Sequence, residues 1–447
     1  MLSKQVADYT VNMKFEDLPP AVIEAGRLAI MDWLGSVMAG SREPPARMVA
    51  KVVLRAGGIP RATLIGFDQL SSALNAALVN GTSCHILELD DLHRSSIMHP
   101  AAPIISAAAA AAEERNAGGR DLLTAVVAGY ETGIRIAEAV TPAHYHYWHT
   151  TATCGTFGAA AAAAKIIALD PGGVVNALGS AGSQAAGLWE FLEDGAMTKH
   201  LHPGKAAMNG LLAALLAEEG FTGATRILEG DKGFFRATAD EYFTDRVTAG
   251  LGKEFRILGN SYKIYPSCRH THSAVDLALK LADEGLDPTD IASIMVKTYR
   301  HACDLVGGTS FETPYKAKFS LPYCFARALV DKKLDLRSFD FSKPHDPLVV
   351  QLVAKCRVVL EPELEKMYPF RWPAAVTVIL KDGRVIEAST DYPRGDPENP
   401  AGIKEMQEKF RQLALLCQSE ETVDRILELL ADLDQLERIR DLFDLTG

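Results

Sequence analysis

From Pro19 onward, the first half of the chain repeats apolar residues at helical spacing. Val22, Ala25, Leu28, Ala29, Met31, Trp33, Leu34 and Val37 form one such run, opened by Pro19-Pro20 and closed by Gly40. Proline at the start and glycine just past the end is the asymmetry that bounds an α-helix. The same periodicity, with good helix formers, predicts helices at 71–89, 101–115, 121–139, 151–167, 172–187 and 204–218. Many of their residues are alanine, too small to fill a core singly but small enough to let helices approach closely. A compact all-helical domain follows.

Near residue 260 the pattern changes. Ile291 to Tyr299 is rich in β-branched residues and predicts a strand. Val376–Leu380 and Val385–Ala388 flank Lys381-Asp382-Gly383-Arg384, a hairpin with Asp-Gly in its turn. Helices at 272–285 and 317–332 lie close to these strands in sequence. A Pro/Gly-rich stretch from Asp391 to Gly402 leads back to helices at 403–417, 420–432 and 434–444. The fold class is therefore mainly α. A large all-helical domain spans 1–261 and 400–447, and a smaller α/β (α+β) domain spans 262–399.

Size and composition narrow the setting. The chain has 447 residues, 48% hydrophobic and 23% charged, the range of an ordinary globular protein. A net charge of −11 argues against nucleic-acid partners and acidic membrane surfaces. An anionic substrate must then be met by locally placed Lys, Arg or His. The seven cysteines include no CxxC pair, which points to reduced thiols in a cytoplasmic setting rather than a disulfide framework or zinc site. Residues 1–14 lack a signal-peptide pattern, and the alanine-rich apolar runs are too short to span a bilayer.

Four segments carry candidate chemistry. Cys84 to Pro100 packs Glu88, Asp90, Asp91, His85, His93 and His99 between apolar stretches, where ionisable groups are costly without partners and their pKa values move. On a helix His85 and Glu88 share a face. Pro100 would start the next helix, leaving His99 beside its N–H groups as a neutral general base. The bland reading has these carboxylates cap helices and pair with Arg94. The second segment runs from His144 to Gly158. Its HxHxxH spacing (His144, His146, His149) is a weak metal motif, and the preferred reading is one catalytic imidazole, His149, just before a glycine-containing helix. The third, Met197 to Ala207, lies before a helix and offers Lys199 and Lys205 to an anion; it departs from a P-loop at both ends. The fourth, Tyr262 to His272, holds Arg269, suited to gripping a carboxylate, and Cys268, either nucleophile or inert buried thiol. GxGxxG, GxSxG and HExxH are absent, which removes the simplest dehydrogenase, serine-hydrolase and zinc-protease readings.

Taken in order, these segments resemble the MmgE/PrpD family, which includes 2-methylcitrate dehydratase, cis-aconitate decarboxylase and iminodisuccinate epimerase. The resemblance spans essentially the whole chain. It rests on Glu88-Leu89-Asp90-Asp91 with His99-Pro100, Trp148-His149 with Gly155 and Phe157-Gly158, Thr198-Lys199 with His202 and Gly204, Tyr265-Pro266-Ser267-Cys268, and Lys318 to Tyr323. It implies a helical domain with a smaller α/β lid, a homodimer, an interdomain site, and no metal or organic cofactor. Carried over by position, that site contains Asp90 or Asp91, His99, His149, Lys199, Lys263 and Tyr323. Glu88, His202, Cys268 and Arg269 are expected beside them as further substrate contacts. Three positions depart from the pattern. Glu88 stands where the family commonly has an aspartate, Leu92 where the decarboxylases have a hydroxyl residue, and Cys268 where they have a histidine.

The chemistry expected is proton transfer next to a carboxylate, which needs a base of suitable pKa and cations where charge develops. His99 or His149 serves as base and the other protonates the leaving hydroxyl. Lys199, Lys263 and Arg269 bind carboxylates, and Asp90 and Asp91 orient the imidazoles. Cofactor-free dehydration of a small di- or tricarboxylate such as 2-methylcitrate ranks first. Epimerisation of an iminodisuccinate-like acid is second and cis-aconitate-type decarboxylation third. A carboxylate-binding protein is the non-enzymatic alternative.

Overall fold

The computed structural model describes residues 1–342 and 345–447. The chain is mainly α-helical with a small α/β region, and it divides into two compact units: Met1–Ser261 with Gly402–Gly447, and Tyr262–Ala401.

The first unit is built on the Thr150–Ile167 helix, whose residues from Thr150 to Ala164 are all buried. The helices that pack on it include Ala101–Arg115, Gly119–Val140, Thr198–Glu218 and Pro171–Gly182. Alanine makes this possible, because a central helix surrounded on every side has no room for long side chains. The Ala73–Ile86 helix lies against both Ala101–Arg115 and Thr198–Glu218. The Pro20–Gly40 helix covers it and is itself covered by Ile403–Ala414. Trp33 is fully buried there, its indole N–H donating to Ser106 Oγ at 2.9 Å.

Several boundaries differ from those predicted. The helix expected at 204–218 begins at Thr198, so Lys199 lies in its first turn rather than before it. The helix expected at 71–89 stops at Ile86, and Glu88 takes a left-handed backbone with φ 59°. Glu88 therefore does not share a helix face with His85. The 172–187 helix ends at Gly182. In place of a helix at 434–444 there are a 3-10 turn at Leu433–Gln435 and a short helix at Arg440–Phe443.

In the second unit, Cys356–Leu360, Ile291–Thr298, Ala374–Leu380 and Val385–Thr390 form a sheet in that order. The first pair is parallel, with Ile294 opposite Cys356, and the others are antiparallel. The predicted hairpin is present, with Gly383 at φ 89° supplying the left-handed turn residue. Helices His272–Asp283 and Pro347–Lys355 pack on the sheet, and Leu321–Asp331 packs on both helices. The predicted 317–332 helix is split, because Ser320 caps a new start by accepting from the Tyr323 N–H. The Cys356–Leu360 strand was not expected; its short β-branched run (Val358, Val359) carries no alternation. Among the described residues, no helix is long and apolar enough to cross a membrane.

Candidate active site

Two glycines let the site form. A Cβ on Gly81 would sit 2.8 Å from the Gly204 Cα, so the Ala73–Ile86 and Thr198–Glu218 helices approach closer than any side chain permits. Their close crossing brings the end of one beside the start of the other. Glu88, just past the first helix, pairs directly with Lys199 in the first turn of the second. Both are buried, at 1% and 4% exposure. Such a pair persists out of water because each charge compensates the other; removing either strands its partner.

Next to this pair the imidazoles gather. Asp90 Oδ2 lies 2.7 Å from His85 Nδ1 and 3.3 Å from His99 Nδ1. The His85 and His99 rings are 4.7 Å apart, and the His85 and His149 rings 5.5 Å. His149 occupies the N-cap of the Thr150–Ile167 helix, its N–H donating to the Gly187 carbonyl at 2.9 Å. Its Nδ1 lies 3.2 Å from His202 Nδ1, so one of the two nitrogens carries the proton and the other accepts it. Trp189, 4.8 Å from His149, and Phe191, 5.6 Å from His202, close one side with aromatic surface. Three of the four segments singled out from sequence thus converge within one unit.

Burial works against charge at every one of these groups, and the neighbours decide the outcome. For Asp90, burial alone raises the pKa, but the two imidazoles outweigh it and hold the carboxyl well below its ordinary value. His149 is pushed well below the ordinary imidazole value, first by burial and then by the charges of His85, His202, Lys199 and His99. Burial, with His85 and the lysines Lys199 and Lys205, lowers His202 to about 4. An ionised Asp90 in the same site as a neutral His149–His202 pair is a suitable starting point for proton transfer.

Asp91 plays a different part from the one expected. Among the described residues its hydrogen bonds go to groups other than imidazoles. Its Oδ2 accepts from the Tyr130 hydroxyl at 2.7 Å and Asn260 Nδ2 at 2.8 Å, and its Oδ1 from the Ala101 N–H at 3.0 Å. Burial raises it to about 8, against the pull of Tyr130 and Ala101. Asp91 caps the Ala101–Arg115 helix and ties it to the Asn260–Ser261 strand, which pairs with Leu92–His93. Of the two aspartates, Asp90 is the one that faces imidazoles. His99 follows the Leu92–His93 strand, with its N–H donating to Thr151 Oγ1 at 3.0 Å.

The HxHxxH spacing does not assemble a metal site. His144 spends Nδ1 on the Thr238 carbonyl at 3.1 Å and Nε2 on Thr153 Oγ1 at 2.7 Å, and exposed His146 lies against the Tyr147 ring. Among the described residues, one set could hold a metal ion: His85, Asp90 and His99, with donor atoms within 4.8 Å of one another. In this structure the same three groups form an array in which Asp90 Oδ2 is hydrogen-bonded to His85 Nδ1 and lies at ion-pair distance from His99 Nδ1.

The second unit holds the remaining sequence candidates. Arg269 was expected to grip a substrate carboxylate, but its terminal nitrogens are spent internally. Nη2 pairs with Asp396 Oδ1 at 2.5 Å, and Nη1 donates to the Arg394 carbonyl at 3.0 Å and contacts His272 Nδ1 at 3.0 Å. The Tyr323 hydroxyl, also expected to contact substrate, gives its proton to the Ser338 carbonyl at 2.8 Å. Cys268 is buried and immediately precedes the Arg269–Thr271 turn. Lys263 is buried, and its charge helps to lower the pKa of His270, after burial and His301.

Sequence reasoning placed His85 in the candidate segment but assigned it no role, and it missed Tyr130, Trp189 and Asn260 altogether. His85 had a signal, five residues before Asp90 at the end of a predicted helix. The other three lie in unremarkable local sequence and become partners only through packing.

Comparisons with known proteins agree with this architecture. The MmgE/PrpD N-terminal domain matches residues 4–244 and the MmgE/PrpD C-terminal domain matches residues 265–435. The cis-aconitate decarboxylase-like protein oryM of Aspergillus oryzae is 28% identical, covering 97% of this chain and 96% of its own length. The cis-aconitate decarboxylase of Aspergillus terreus is 26% identical over 99% of this chain and 95% of its own. That of Homo sapiens is also 26% identical, over 95% and 90%. With both domains matched along most of its length, the chain belongs to the MmgE/PrpD family.

Proposed function

We propose that this protein is a lyase acting on a small di- or tricarboxylate by imidazole acid–base chemistry, and that it removes CO₂ from a cis-aconitate-like acid. The observation that carries the acid–base reading is the His85–Asp90–His99 array meeting the His149–His202 pair and the Glu88–Lys199 pair in one buried place. Decarboxylation moves ahead of dehydration because of the relatives' names.

Loss of CO₂ leaves an electron pair that spreads onto a neighbouring double bond and carboxylate, and a proton must then reach carbon. His99 is the member of its array able to meet a ligand, with 12% of its side chain exposed against none for Asp90 and His85. His99 faces Asp90 through Nδ1, and Nε2 is the nitrogen assigned to exchange a proton with substrate. Asp90 balances the charge that His99 gains, as the buried acid of a catalytic triad does. His149, kept neutral, donates a hydrogen bond or relays a proton through His202. Lys199, at a helix N-terminus, binds a carboxylate, and Glu88 holds the ammonium in place.

Dehydration of a hydroxy acid such as 2-methylcitrate is the second reading. It is favoured by the presence of two separate imidazole arms, one to take a proton and one to protonate the departing hydroxyl. The test is incubation with cis-aconitate, citrate, 2-methylcitrate and iminodisuccinate in D₂O, followed by proton NMR. A product short of CO₂ and carrying one deuterium supports decarboxylation; hydration and dehydration products support the second reading. Exchange at carbon without net product means epimerisation, and binding without exchange means a carboxylate-binding protein. His99→Ala and His149→Ala should each lose roughly 10²–10⁴-fold in turnover. Near-normal rates for both would end the acid–base reading. Chelators should leave activity unchanged. We also propose a cytoplasmic homodimer, its oligomeric state to be checked by light scattering; among the described residues the seven cysteines form no disulfide.

A further inference from the structure

We propose that Lys409, on the Ile403–Ala414 helix, is a positioning residue for Asp90 and the two imidazoles it faces. The inference rests on the acid–base reading above. Lys409 Nζ lies 2.5 Å from Asp32 Oδ1 and 2.6 Å from the Leu89 carbonyl oxygen. Asp32 sits on the Pro20–Gly40 helix with no side-chain exposure, and the Lys409 side chain is 9% exposed. One ammonium therefore ties a helix near the start of the chain, the segment that bears Asp90, and a helix near the end.

The second contact is the informative one. An ion pair between Asp32 and Lys409 needs no partner in the site segment, yet the ammonium also binds the carbonyl immediately before Asp90. The peptide group is planar, so the direction of the Leu89 carbonyl sets the plane from which the Asp90 backbone departs. Leu89 follows Glu88, whose left-handed backbone takes the segment out of helical hydrogen bonding. Asp90 must then place a single oxygen between two imidazoles, 2.7 Å from one and 3.3 Å from the other. A tilt of a few tenths of an ångström lengthens one contact at the expense of the other. The pair also lies within electrostatic reach of the segment: Asp32 and Lys409 act with opposite signs on the Cys84 thiol, and Asp32 acts on Asp91.

Asp32→Asn/Lys409→Met removes both charges together, so no buried charge is stranded. Lys409→Arg keeps the charge and the donors. Both are first checked by circular dichroism and thermal melting. The readouts are the imidazole resonances of ¹⁵N-histidine-labelled full-length protein and separate kcat and KM values on cis-aconitate. The double variant should shift the Nδ1–H resonances of His85 and His99 and lower kcat about 10-fold with KM within about 2-fold, the scale of a small misplacement of catalytic groups. Lys409→Arg should restore both. A folded double variant with wild-type imidazole resonances would overturn the proposal. If the double variant does not fold, Asp32→Asn decides, because it retains the Lys409 contact to Leu89: wild-type resonances support the proposal and shifted ones refute it. Should the protein turn over none of the acids offered, the acid–base reading fails, while the resonances still report on the positioning role.

Discussion

Asp90→Asn isolates the charge at the centre of the array, because asparagine keeps the shape of the side chain. Asp90 is fully buried and offers one oxygen to His85 Nδ1 at 2.7 Å and to His99 Nδ1 at 3.3 Å. A hydrogen bond to a charged acceptor contributes about 1.5–3 kcal/mol and one to a neutral acceptor about 1 kcal/mol. Neutralising the acceptor therefore weakens the His85 bond by about 1–2 kcal/mol, and loss of the charge facing His99 Nδ1 costs about as much again when His99 carries a proton, about 2–4 kcal/mol together. At 1.36 kcal/mol per decade this is roughly 30- to 1,000-fold in kcat. If the amide instead turns its NH₂ toward an imidazole, that ring must move its proton to Nε2. Loss of the correct tautomer takes the fall toward about 10⁴-fold. KM should stay nearly constant, since a side chain with no exposure does not touch the substrate.

The same variant makes a stability prediction. The folded pKa of Asp90 lies well below its ordinary value. Its contribution is thus fully present above the unfolded value of about 3.9 and is lost as pH falls through the lower folded value. In urea titrations the gap between wild type and Asp90→Asn should be constant from about pH 5 upward and close below about pH 4. A kcat within about 3-fold of wild type, or a stability gap indifferent to pH, would refute the assignment of an ionised Asp90 to the imidazoles.

Three further outcomes follow from individual contacts. Lys199→Met strands the buried Glu88 carboxylate and should cost about 3–5 kcal/mol in urea unfolding, whereas Lys199→Met/Glu88→Gln should recover most of that stability without turnover; a double variant as unstable as the single one would mean the pair is not the cause. Asp91→Asn puts an amide among the Tyr130, Asn260 and Ala101 donors, and should destabilise by about 1–3 kcal/mol while kcat per folded molecule stays within about 3-fold; a collapse of kcat at normal stability would restore a catalytic role. Burial holds His144 at about 4 against an ordinary 6.5, so its contribution is present above pH 6.5 and lost as pH falls through 4. The stability curves of wild type and His144→Gln should therefore converge on acidification, by an amount on the order of 3 kcal/mol; parallel curves would show that His144 is not kept neutral by the fold.

Much of the architecture is written locally. The Pro20–Gly40 and Ala101–Arg115 helices have the limits their apolar spacing and end residues indicate, and the Asp382-Gly383 hairpin forms as its turn chemistry requires. Boundaries failed where tertiary contacts overrode local preference. Periodicity carried the Ala73–Ile86 helix three residues too far, because Glu88 leaves the helix to reach Lys199. The start of the Thr198–Glu218 helix was read late, because Pro203 marks a helix start in sequence and here lies inside the second turn.

For the site, residue type and neighbourhood were enough to single out His99, His149, Lys199 and Asp90. They were not enough to separate Asp90 from Asp91, which are adjacent in sequence yet serve an imidazole pair in one case and a helix start in the other. Nor did they warn that the terminal nitrogens of Arg269 are engaged within its own unit. Helical spacing depends on residues a few positions away and can be read from the chain directly. Lys199 meets Glu88 across 111 positions, and Lys409 reaches Leu89 across 320. Those meetings depend on how closely whole helices pack, which the side chains between them decide only once the chain has folded.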